Sequence, residues 1–396
     1  MTLTLLIDLD DTLLPNSSEK FLPVYLEQLT KHLSSLAPPD QVKEVLFHAT
    51  YKAVDNLQPI VTIKQSFDEH FYPTLHTSAK EMAPVLEDFY TNVYPSLSPI
   101  TTPDPTAIQF IEKSLENGYR IVIATNPIFP KAATYERLRW AGLAPEKYPF
   151  QLITTYEDFH FAKPNPAYYA EILAQLGWPE NPVLMIGNDH ALDIEPAQQL
   201  GLATYWVLED YQTHPRQTNH GAGRIDQIHE WIDARPPESL VPDFNHWQAS
   251  LDILRTTPAA LDTLLANVSA AAWKAKPDPK AWSLTEIICH LRDVDREVYL
   301  PRFQEMVNVQ APFLPAVDAD TWAEERNYQE QNGLQALEDF FQVRNELIHM
   351  VESISQEVRK KDIRHSIFGP TTPGEILHIS ARHDRLHIQQ VCASLD

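Results

Sequence analysis

The sequence has few cysteines, no excess of basic residues and no long apolar run. Its two cysteines, Cys289 and Cys392, lie in helical patterns and form no CxxC pair, so a disulfide framework is excluded and a reducing compartment is expected. The 31 Lys and Arg residues are outnumbered by 54 Asp and Glu residues, and the net charge of -23 argues against a nucleic-acid partner. No apolar stretch could span a bilayer and no basic segment precedes the first apolar run, so we expect a cytoplasmic protein without a membrane partner.

The length and the order of the patterns predict two domains, because 396 residues are too many for one ordinary core. Over residues 1–233, short apolar runs typical of buried strands alternate with helical patterns. This alternation predicts an α/β fold, a Rossmann-like doubly wound parallel sheet with helices on both faces. Helical patterns between about residues 15 and 100 indicate an inserted helical cap. The predicted strands are 3–7, 119–124, 151–154, 183–186 and 203–207.

The second domain is predicted to be helical throughout. Residues 234–243, in the segment DARPPESLVPD, have the composition of a linker. No convincing strand follows, and four helical patterns in residues 244–396 favour an all-α, up-and-down four-helix bundle. These patterns cover 244–268 with a break allowed at Pro258, 283–307, 334–354 and 373–393.

Two carboxylates, those of Asp8 and Asp10, stand at the end of the first predicted strand. Ligands of open α/β sheets bind beyond the carboxyl ends of strands, and strand periodicity places both side chains on one face. Further polar residues follow other strands or loops of the same sheet: Thr125, Asn126, Lys163, Asn188, Asp189 and Asp193. If the four aspartates converge to about 5 Å, each like-charge pair costs about 3 kcal/mol at an effective dielectric of 20, so the cluster needs a cation. Oxygen ligands beside a phosphate favour Mg²⁺.

A phosphoryl group at this edge would need positive charge and hydrogen-bond donors, which Lys163 and Thr125 can supply. A calcium loop is an alternative, because Asp8, Asp10 and Glu19 fall at its positions 1, 3 and 12. That loop needs glycine at its sixth position, where this chain has Leu13. The sequence also has no GxxxxGK[ST] run, so an ATP-type phosphate loop is not indicated.

Four segments in this order resemble the motifs of the haloacid dehalogenase superfamily of phosphatases, over residues 1 to about 233. The segments are LTLLIDLDDTLLP, the strand that ends in Thr125 and Asn126, FAKPNPAYY and IGNDHALDIEPA. The resemblance implies that Asp8 is a nucleophile that forms an aspartyl-phosphate and that Asp10 is the general acid and base. It implies these further roles: Thr125 and Lys163 bind the phosphate, and Asp8, the Asp10 carbonyl, Asp189 and Asp193 bind Mg²⁺. Asn126 is a further candidate for substrate binding, although an asparagine in this place is more often a turn residue. Asn188 stands where many members carry Asp, so either Asn188 or Asp189 would approach the metal.

Three histidines fall on apolar helix faces of the second domain. His383 and His387 lie one turn apart within the apolar stripe of the last helix, and His290 lies at the edge of another stripe. Imidazoles in such a stripe need partners for their nitrogens, and histidines at i and i+4 commonly hold a transition metal. The alternative is a set of hydrogen-bonded core histidines. Arg344 also falls in an apolar stripe, where Asp293 or Glu297 is its predicted partner.

Residues 244 to 396 are similar to the DinB family of four-helix bundles. The similarity lies in WSLTEIICHLRDVD, FFQVRNELIHM, IFGPTTPGEIL and RHDRLHIQQ. It implies a thiol-dependent transferase or hydrolase with a divalent metal (Zn, Ni, Fe or Mn) bound by His290, His383 and His387. Trp282 and Trp322 are expected to serve packing.

These patterns predict a Mg²⁺-dependent phosphatase of a small phosphorylated metabolite, with a metal-binding bundle fused to it. One alternative places the main activity in the bundle, as a thiol-linked transferase or hydrolase. Another makes one half a degenerate binding or dimerisation module. A homodimer is compatible with the sequence.

Overall fold

The computed structural model describes residues 2–208 and 220–395, which form two compact units. The first unit holds the chain up to residue 172 together with residues 180–243, and the second holds residues 173–179 and the chain from residue 244. The segment predicted to be a linker, 234–243, therefore belongs to the first unit. Its Leu240 is 2% exposed and is part of the apolar core of that unit.

The first unit is built on a six-stranded parallel sheet in the order β3-β2-β1-β4-β5-β6. The strands are β1 Thr4–Ile7, β2 Arg120–Ile123, β3 Leu152–Ile153, β4 Val183–Gly187, β5 Ala203–Val207 and β6 His220–Gly223. β1 and β4 are buried along their whole length, as expected of central parallel strands. The doubly wound fold predicted from the sequence is confirmed. The sixth strand, HGAG, was not predicted, because it lacks an apolar run.

The register brings the carboxyl ends of the central strands level with one another. Ile7 at the end of β1 pairs with Ile123 of β2 and with Ile186 of β4. Residues that follow these strands therefore meet at one edge of the sheet.

Helices connect the strands, and four of them form the predicted cap between β1 and β2. The helices in the first part of the chain are α1 Ser18–His32, α2 Pro39–Val54, α3 Ile63–Thr74, α4 Ala79–Asp88, α5 Pro105–Glu116, α6 Lys131–Trp140, α7 Pro166–Gln175, α8 Glu195–Leu200 and α9 Ile228–Asp233. In the cap, α3 and α4 each begin with a capping box, on Thr62 with Gln65 and on Ser78 with Glu81. These boxes satisfy backbone donors at the helix starts and fix where each cap helix begins.

The second unit is the predicted helical bundle. Its helices are α10 Trp247–Leu265, α11 Leu284–Val294, α12 Leu300–Asn308, α13 Trp322–Glu325, α14 Gly333–Glu352, α15 Gln356–Arg359 and α16 Pro373–Leu395, with a π-helical turn at Asp295–Tyr299 between α11 and α12. α10 continues through Pro258 without a break. Pro258 has no N–H for the carbonyl of Leu254, and the guanidinium of Arg344 donates to that carbonyl instead, at 3.1 Å. The lost helical hydrogen bond is thus replaced.

The bundle also carries a small sheet where no strand was predicted. β7 Phe313–Leu314 pairs in parallel with β8 Ile363–His365, which pairs in antiparallel fashion with β9 Gly369–Thr371. Strands of two or three residues are too short to show an alternating pattern, so periodicity could not predict them. Among the described residues no helix is long and apolar enough to cross a bilayer.

Candidate active site and candidate metal centre

Asp8, Lys163 and Asp193 meet at the carboxyl ends of β1 and β4. The Lys163 ammonium donates to Asp8 Oδ1 at 2.7 Å and to Asp193 Oδ1 at 2.6 Å. The three residues are 8%, 1% and 1% exposed. The backbone N–H of Asp8 continues the sheet ladder by donating to the carbonyl of Ile186 at 2.9 Å. Two buried carboxylates therefore share one buried cation, which leaves one net negative charge.

The pKa shifts of the carboxylates indicate that Lys163 does not fully balance their negative charge. Burial raises the pKa of Asp8, although the Lys163 ammonium opposes that rise. Burial and the charge of Asp8 raise the pKa of Asp193 to about 7, again against Lys163. Burial alone would lower the pKa of Lys163, but the two carboxylates raise it well above its usual value. A further cation would favour the ionised form of both carboxylates.

Asp10 points to different partners. Its Oδ1 accepts a hydrogen bond from Asn16 Nδ2 at 2.7 Å, and its Oδ2 forms an ion pair with Arg137. Arg137 is 2% exposed and its guanidinium lies 4.5 Å from the centre of the Phe129 ring. These contacts fix the Asp10 carboxylate in a half-buried position beside the Asp8 cluster.

Asp189 and Asn188 follow β4 and have different hydrogen-bond partners. The exposed Asp189 carboxylate accepts hydrogen bonds from the N–H groups of Ala191 at 2.8 Å and Leu192 at 3.0 Å, so it caps the turn that follows. Asn188 Oδ1 lies 3.1 Å from the Thr12 hydroxyl, which is also 3.0 Å from Asp8 Oδ2. The expectation that four aspartates converge is thus corrected. Asp8 and Asp193 share a partner, while Asp10 and Asp189 are held by Arg137 and by backbone N–H groups.

Thr125 and Asn126 follow β2 and both line the cavity beside the cluster. The carbonyl of Thr125 accepts from Thr154 Oγ1 at 2.6 Å and from the Tyr168 hydroxyl at 2.8 Å. Asn126 Oδ1 accepts from the backbone N–H of Lys163 at 3.2 Å. Asn126 therefore positions the Lys163 loop, and its contact with a substrate stays a prediction, as does that of Thr125.

A cavity of about 650 Å³ lies between the cap and this edge of the sheet. Asp8, Asp10, Arg137 and Lys163 line one end of it. The remaining wall is mostly apolar and aromatic, and it is formed by α1 to α4 of the cap together with Phe129 and Tyr156. The charged end is the part of the cavity with cationic groups that can bind an anion.

His290, His383 and His387 converge within the bundle. His383 Nε2 lies 3.0 Å from His290 Nε2 and 3.1 Å from His387 Nε2. In the described part of the chain they are the one group of three or more His, Cys, Asp or Glu residues whose ligand atoms all lie within 4.8 Å. His387 Nδ1 lies 2.8 Å from Gln390 Oε1, which can only accept from it, so the Nε2 lone pair of His387 faces the other two rings.

The three imidazoles are neutral and only partly satisfied by one another. Burial lowers the pKa of His290 to about 3, and burial lowers the pKa of His383 and His387 as well. If His383 carries its proton on Nε2, that proton can bond well to only one of its two neighbours. Three converging neutral nitrogens fit a borderline transition metal, so the donor set favours a metal over hydrogen-bonded core histidines.

A model of the haloacid dehalogenase-like hydrolases matches residues 2–201, about half of the chain. The chain belongs to this family. A model of the DinB superfamily matches residues 253–391 of the bundle, so both resemblances predicted from the sequence are confirmed. None of the curated proteins matches the chain significantly.

Solved structures similar to the haloacid dehalogenase-like part include a HAD phosphatase from Thermococcus onnurineus and a 2-haloacid dehalogenase from Pseudomonas syringae. Each is 18% identical to this chain. Each match covers 59% of this chain and 99% of the other chain, and the TM-scores are 0.40 and 0.42, respectively. The bundle is similar to YfiT from Bacillus subtilis, described as a probable metal-dependent hydrolase. That match has 16% identity, covers 40% of this chain and 90% of the other, and has a TM-score of 0.35.

Sequence reasoning missed two residues around these sites. Arg137 lies on the buried face of α6 with Ala133 and Trp140, and a cation in such a stripe was the available signal. Trp282, expected to serve packing, stacks on His387 with ring centroids 5.9 Å apart and planes within 4°. It therefore forms part of the wall of the histidine site.

The predicted partners of Arg344 were wrong. Arg344 pairs with Asp295 at 2.6 Å and with Asp384, whose Oδ1 lies 2.9 Å from its Nη2. Asp293 instead accepts from Arg292 at 2.7 Å and from the Tyr328 hydroxyl at 2.8 Å. Asp295 is the first residue of the π-helical turn after α11 and is 1% exposed, and the regular helical pattern did not single it out as a buried partner.

Proposed function

We propose that the haloacid dehalogenase-like unit is a Mg²⁺-dependent phosphatase that hydrolyses the phosphate ester of a small metabolite through an aspartyl-phosphate on Asp8. The observation that carries this proposal is the contact of one buried ammonium, Lys163, with both Asp8 and Asp193 at the carboxyl ends of parallel strands. An isolated buried cluster with a net negative charge is costly, and a divalent cation would offset that charge and leave the site able to accept an anionic phosphate. The cavity beside the cluster gives a substrate room.

In the first step Asp8 attacks phosphorus, the bond between phosphorus and the ester oxygen breaks, and Asp10 gives its proton to the leaving oxygen. In the second step water attacks phosphorus, Asp10 takes its proton, and the bond to Asp8 breaks to release inorganic phosphate. Asn16 and Arg137 hold the Asp10 carboxylate in place for both transfers. General acid and base catalysis of this kind contributes about 10²- to 10⁴-fold.

The residues present fit Mg²⁺. The oxygens of Asp8, Asp193 and Asn188 and the carbonyl of Asp10 are hard donors, and the cluster has a net negative charge. Asn188 is proposed over Asp189, because the Asp189 carboxylate is engaged by two backbone N–H groups. When bound, the ion would supply positive charge to the phosphoryl oxygens. Lys163 and Thr125 would orient the remaining oxygens.

The test is phosphate release from an aryl phosphate, with Mg²⁺ and after its removal by a chelator. Asp8→Asn should reduce kcat by at least about a hundredfold, since it removes the nucleophile. Asp233→Asn is the matched control, because Asp233 is exposed and outside the cavity lining. Equal activity of Asp8→Asn and the wild type, both folded by circular dichroism, would refute the proposed mechanism.

We also infer that the bundle binds one divalent transition metal through His290, His383 and His387. The convergence of three neutral imidazoles favours this candidate. A metal with three protein ligands keeps an open position for water or a thiolate, so a thiol-linked transferase or hydrolase activity is the second candidate function.

Elemental analysis of protein prepared without a metal-affinity tag tests the bundle centre. We expect about one metal per chain in the wild type, and loss of that metal in the double variant His383→Ala with His387→Ala. His349→Ala is the control, since the side chain of His349 is 69% exposed on α14. An unchanged metal content in the double variant would support hydrogen-bonded core histidines.

A further inference from the structure

The cavity next to Asp8 is far larger than a phosphate group needs. Its volume of about 650 Å³ is typical of sites that enclose a whole organic ligand. Beyond the charged end, the wall is formed by cap and loop side chains that include Phe21, Tyr25, Phe67, Phe71, Tyr90 and Phe129. Aromatic walls of this kind favour apolar ligand surface.

The catalytic carboxylate faces this wall. Asp10 forms an ion pair with Arg137, and the Arg137 guanidinium stacks on Phe129. Phe129 in turn contacts the cap rings of Phe21 and Tyr25, with centroids 6.3 and 5.5 Å away. Because the general acid protonates the ester oxygen, the alcohol part of the substrate leaves on the Asp10 side, toward these rings.

Polar side chains also line the cavity, namely Ser18, Thr50, Tyr72, Glu87, Thr91 and Tyr156, but apolar and aromatic side chains outnumber them. The hydroxyls of Tyr25 and Tyr90 bond to each other at 2.9 Å, and the ammonium of Lys64 is paired with Asp68. A polar alcohol in this cavity would therefore exchange most of its water for an apolar wall and regain only part of its hydrogen bonds. Apolar side chains continue to the mouth, where Leu46 is half-buried and Phe47 is 45% exposed.

We infer that the substrates are phosphate monoesters of extended apolar alcohols, either long alkyl or polycyclic aryl. The inference rests on the proposed phosphatase function and deepens it. The phosphate binds at Asp8 and Lys163, and the apolar alcohol fills the space beneath the cap. Alkyl and aryl alcohols share this chemistry, and the experiment distinguishes them.

The experiment measures kcat/KM for phosphate release from n-alkyl phosphates of two to eight carbons, from phenyl and naphthyl phosphate, and from glycerol phosphate. We expect kcat/KM to rise about two- to fourfold per methylene until the cavity is filled. Propyl phosphate should exceed glycerol phosphate, which has the same carbon chain with two hydroxyls, by at least about tenfold. A steeper rise from phenyl to naphthyl than from hexyl to octyl phosphate would identify the aryl class, and the reverse the alkyl class.

A flat alkyl series, or a preference for glycerol phosphate, would overturn the inference while leaving the phosphatase intact. No phosphate release from any of these esters with Mg²⁺ present would instead refute the phosphatase and the inference with it.

A pair of variants on α2 tests whether the alcohol part of the substrate lies under the cap. Leu46→Asn places an amide in the cavity wall and should lower the ratio of octyl to ethyl turnover by about tenfold. Tyr51→Ser, on the same helix, replaces a ring that is 63% exposed and outside the cavity lining, and should leave this ratio unchanged. An unchanged ratio in folded Leu46→Asn protein would show that the alcohol does not lie under the cap. If that variant does not fold, the wild-type series decides.

Discussion

Replacing Glu171 by methionine should destabilise the haloacid dehalogenase-like unit strongly, because this carboxylate holds the loop that carries Lys163. Glu171 on α7 is fully buried and accepts hydrogen bonds from the backbone N–H of His160 at 3.1 Å, the backbone N–H of Phe161 at 3.2 Å and His160 Nδ1 at 2.7 Å. His160 is fully buried as well. Methionine has a similar volume but offers these donors no good acceptor.

The magnitude follows from the donors left behind. Each buried donor without an acceptor costs about 1 to 3 kcal/mol, and Glu171→Met leaves two backbone N–H donors without an acceptor. We expect a loss of about 4 kcal/mol, which lowers the Tm of a unit of this size by about 8 to 16 °C. Glu171→Gln should cost only about 1 kcal/mol, because its carbonyl can serve both backbone N–H groups while its amide donates to His160 Nδ1.

Thermal unfolding followed by circular dichroism and calorimetry measures these shifts. Glu116→Met on α5 is the control, because Glu116 is exposed and should tolerate the change. A Tm loss below about 3 °C for Glu171→Met, or equal losses for the methionine and glutamine variants, would show that the loop does not depend on this carboxylate.

Three other perturbations have defined outcomes. Arg344→Met leaves two buried aspartates without their cation and should cost the bundle about 3 to 5 kcal/mol in urea unfolding. Gly187→Ala puts a Cβ about 2.3 Å from Asp193 Oδ2, so it should displace that carboxylate and lower the kcat of the proposed phosphatase activity at least about tenfold. Burial raises the pKa of Asp252 to about 6 although Arg255 opposes it. Ionisation of Asp252 in the folded state is therefore unfavourable, and the free energy of unfolding falls as pH rises from about 4 through 6. Between pH 4 and pH 8, the free energy of unfolding of Asp252→Asn should increase relative to that of the wild type by up to about 3 kcal/mol, as measured by urea unfolding. A difference between the two proteins that does not change with pH would contradict this sign.

The parts of the fold that the sequence predicts correctly are those with a dense local pattern. β1 and β4 are continuous apolar runs, and such runs are buried wherever they occur in a parallel sheet. β6, with the sequence HGAG, and the two- and three-residue strands of the bundle have no such pattern, because their pairing is decided by distant partners. Their positions could not be predicted from local periodicity.

The candidate sites show the same division. Strand ends are predictable, so the meeting of Asp8 and Asp193 was expected from the topology. Lys163 lies in a loop ten residues after β3, and its place in the cluster was expected from the resemblance to the haloacid dehalogenase superfamily. The partner of a given carboxylate depends on rotamers and on neighbouring helices. The ion pair of Asp10 with Arg137 and the capping role of Asp189 were therefore missed. The partners of Arg344 were wrong for the same reason, since Asp295 and Asp384 reach it from two different helices.

The two candidate metal sites reduce the cost of burying polar groups in different ways. In the haloacid dehalogenase-like unit, Lys163 lies between two carboxylates and offsets one of their two negative charges without any metal, so the remaining cost is that of a single charge. In the bundle, burial keeps the three histidines neutral, so they need no counter-charge. Neither site should therefore require its metal for folding. A chelator should remove only the stabilisation that binding adds, about 2.7 kcal/mol for a ligand at a hundred times its Kd, and unfolding of either unit on chelation would show that its site is not preformed.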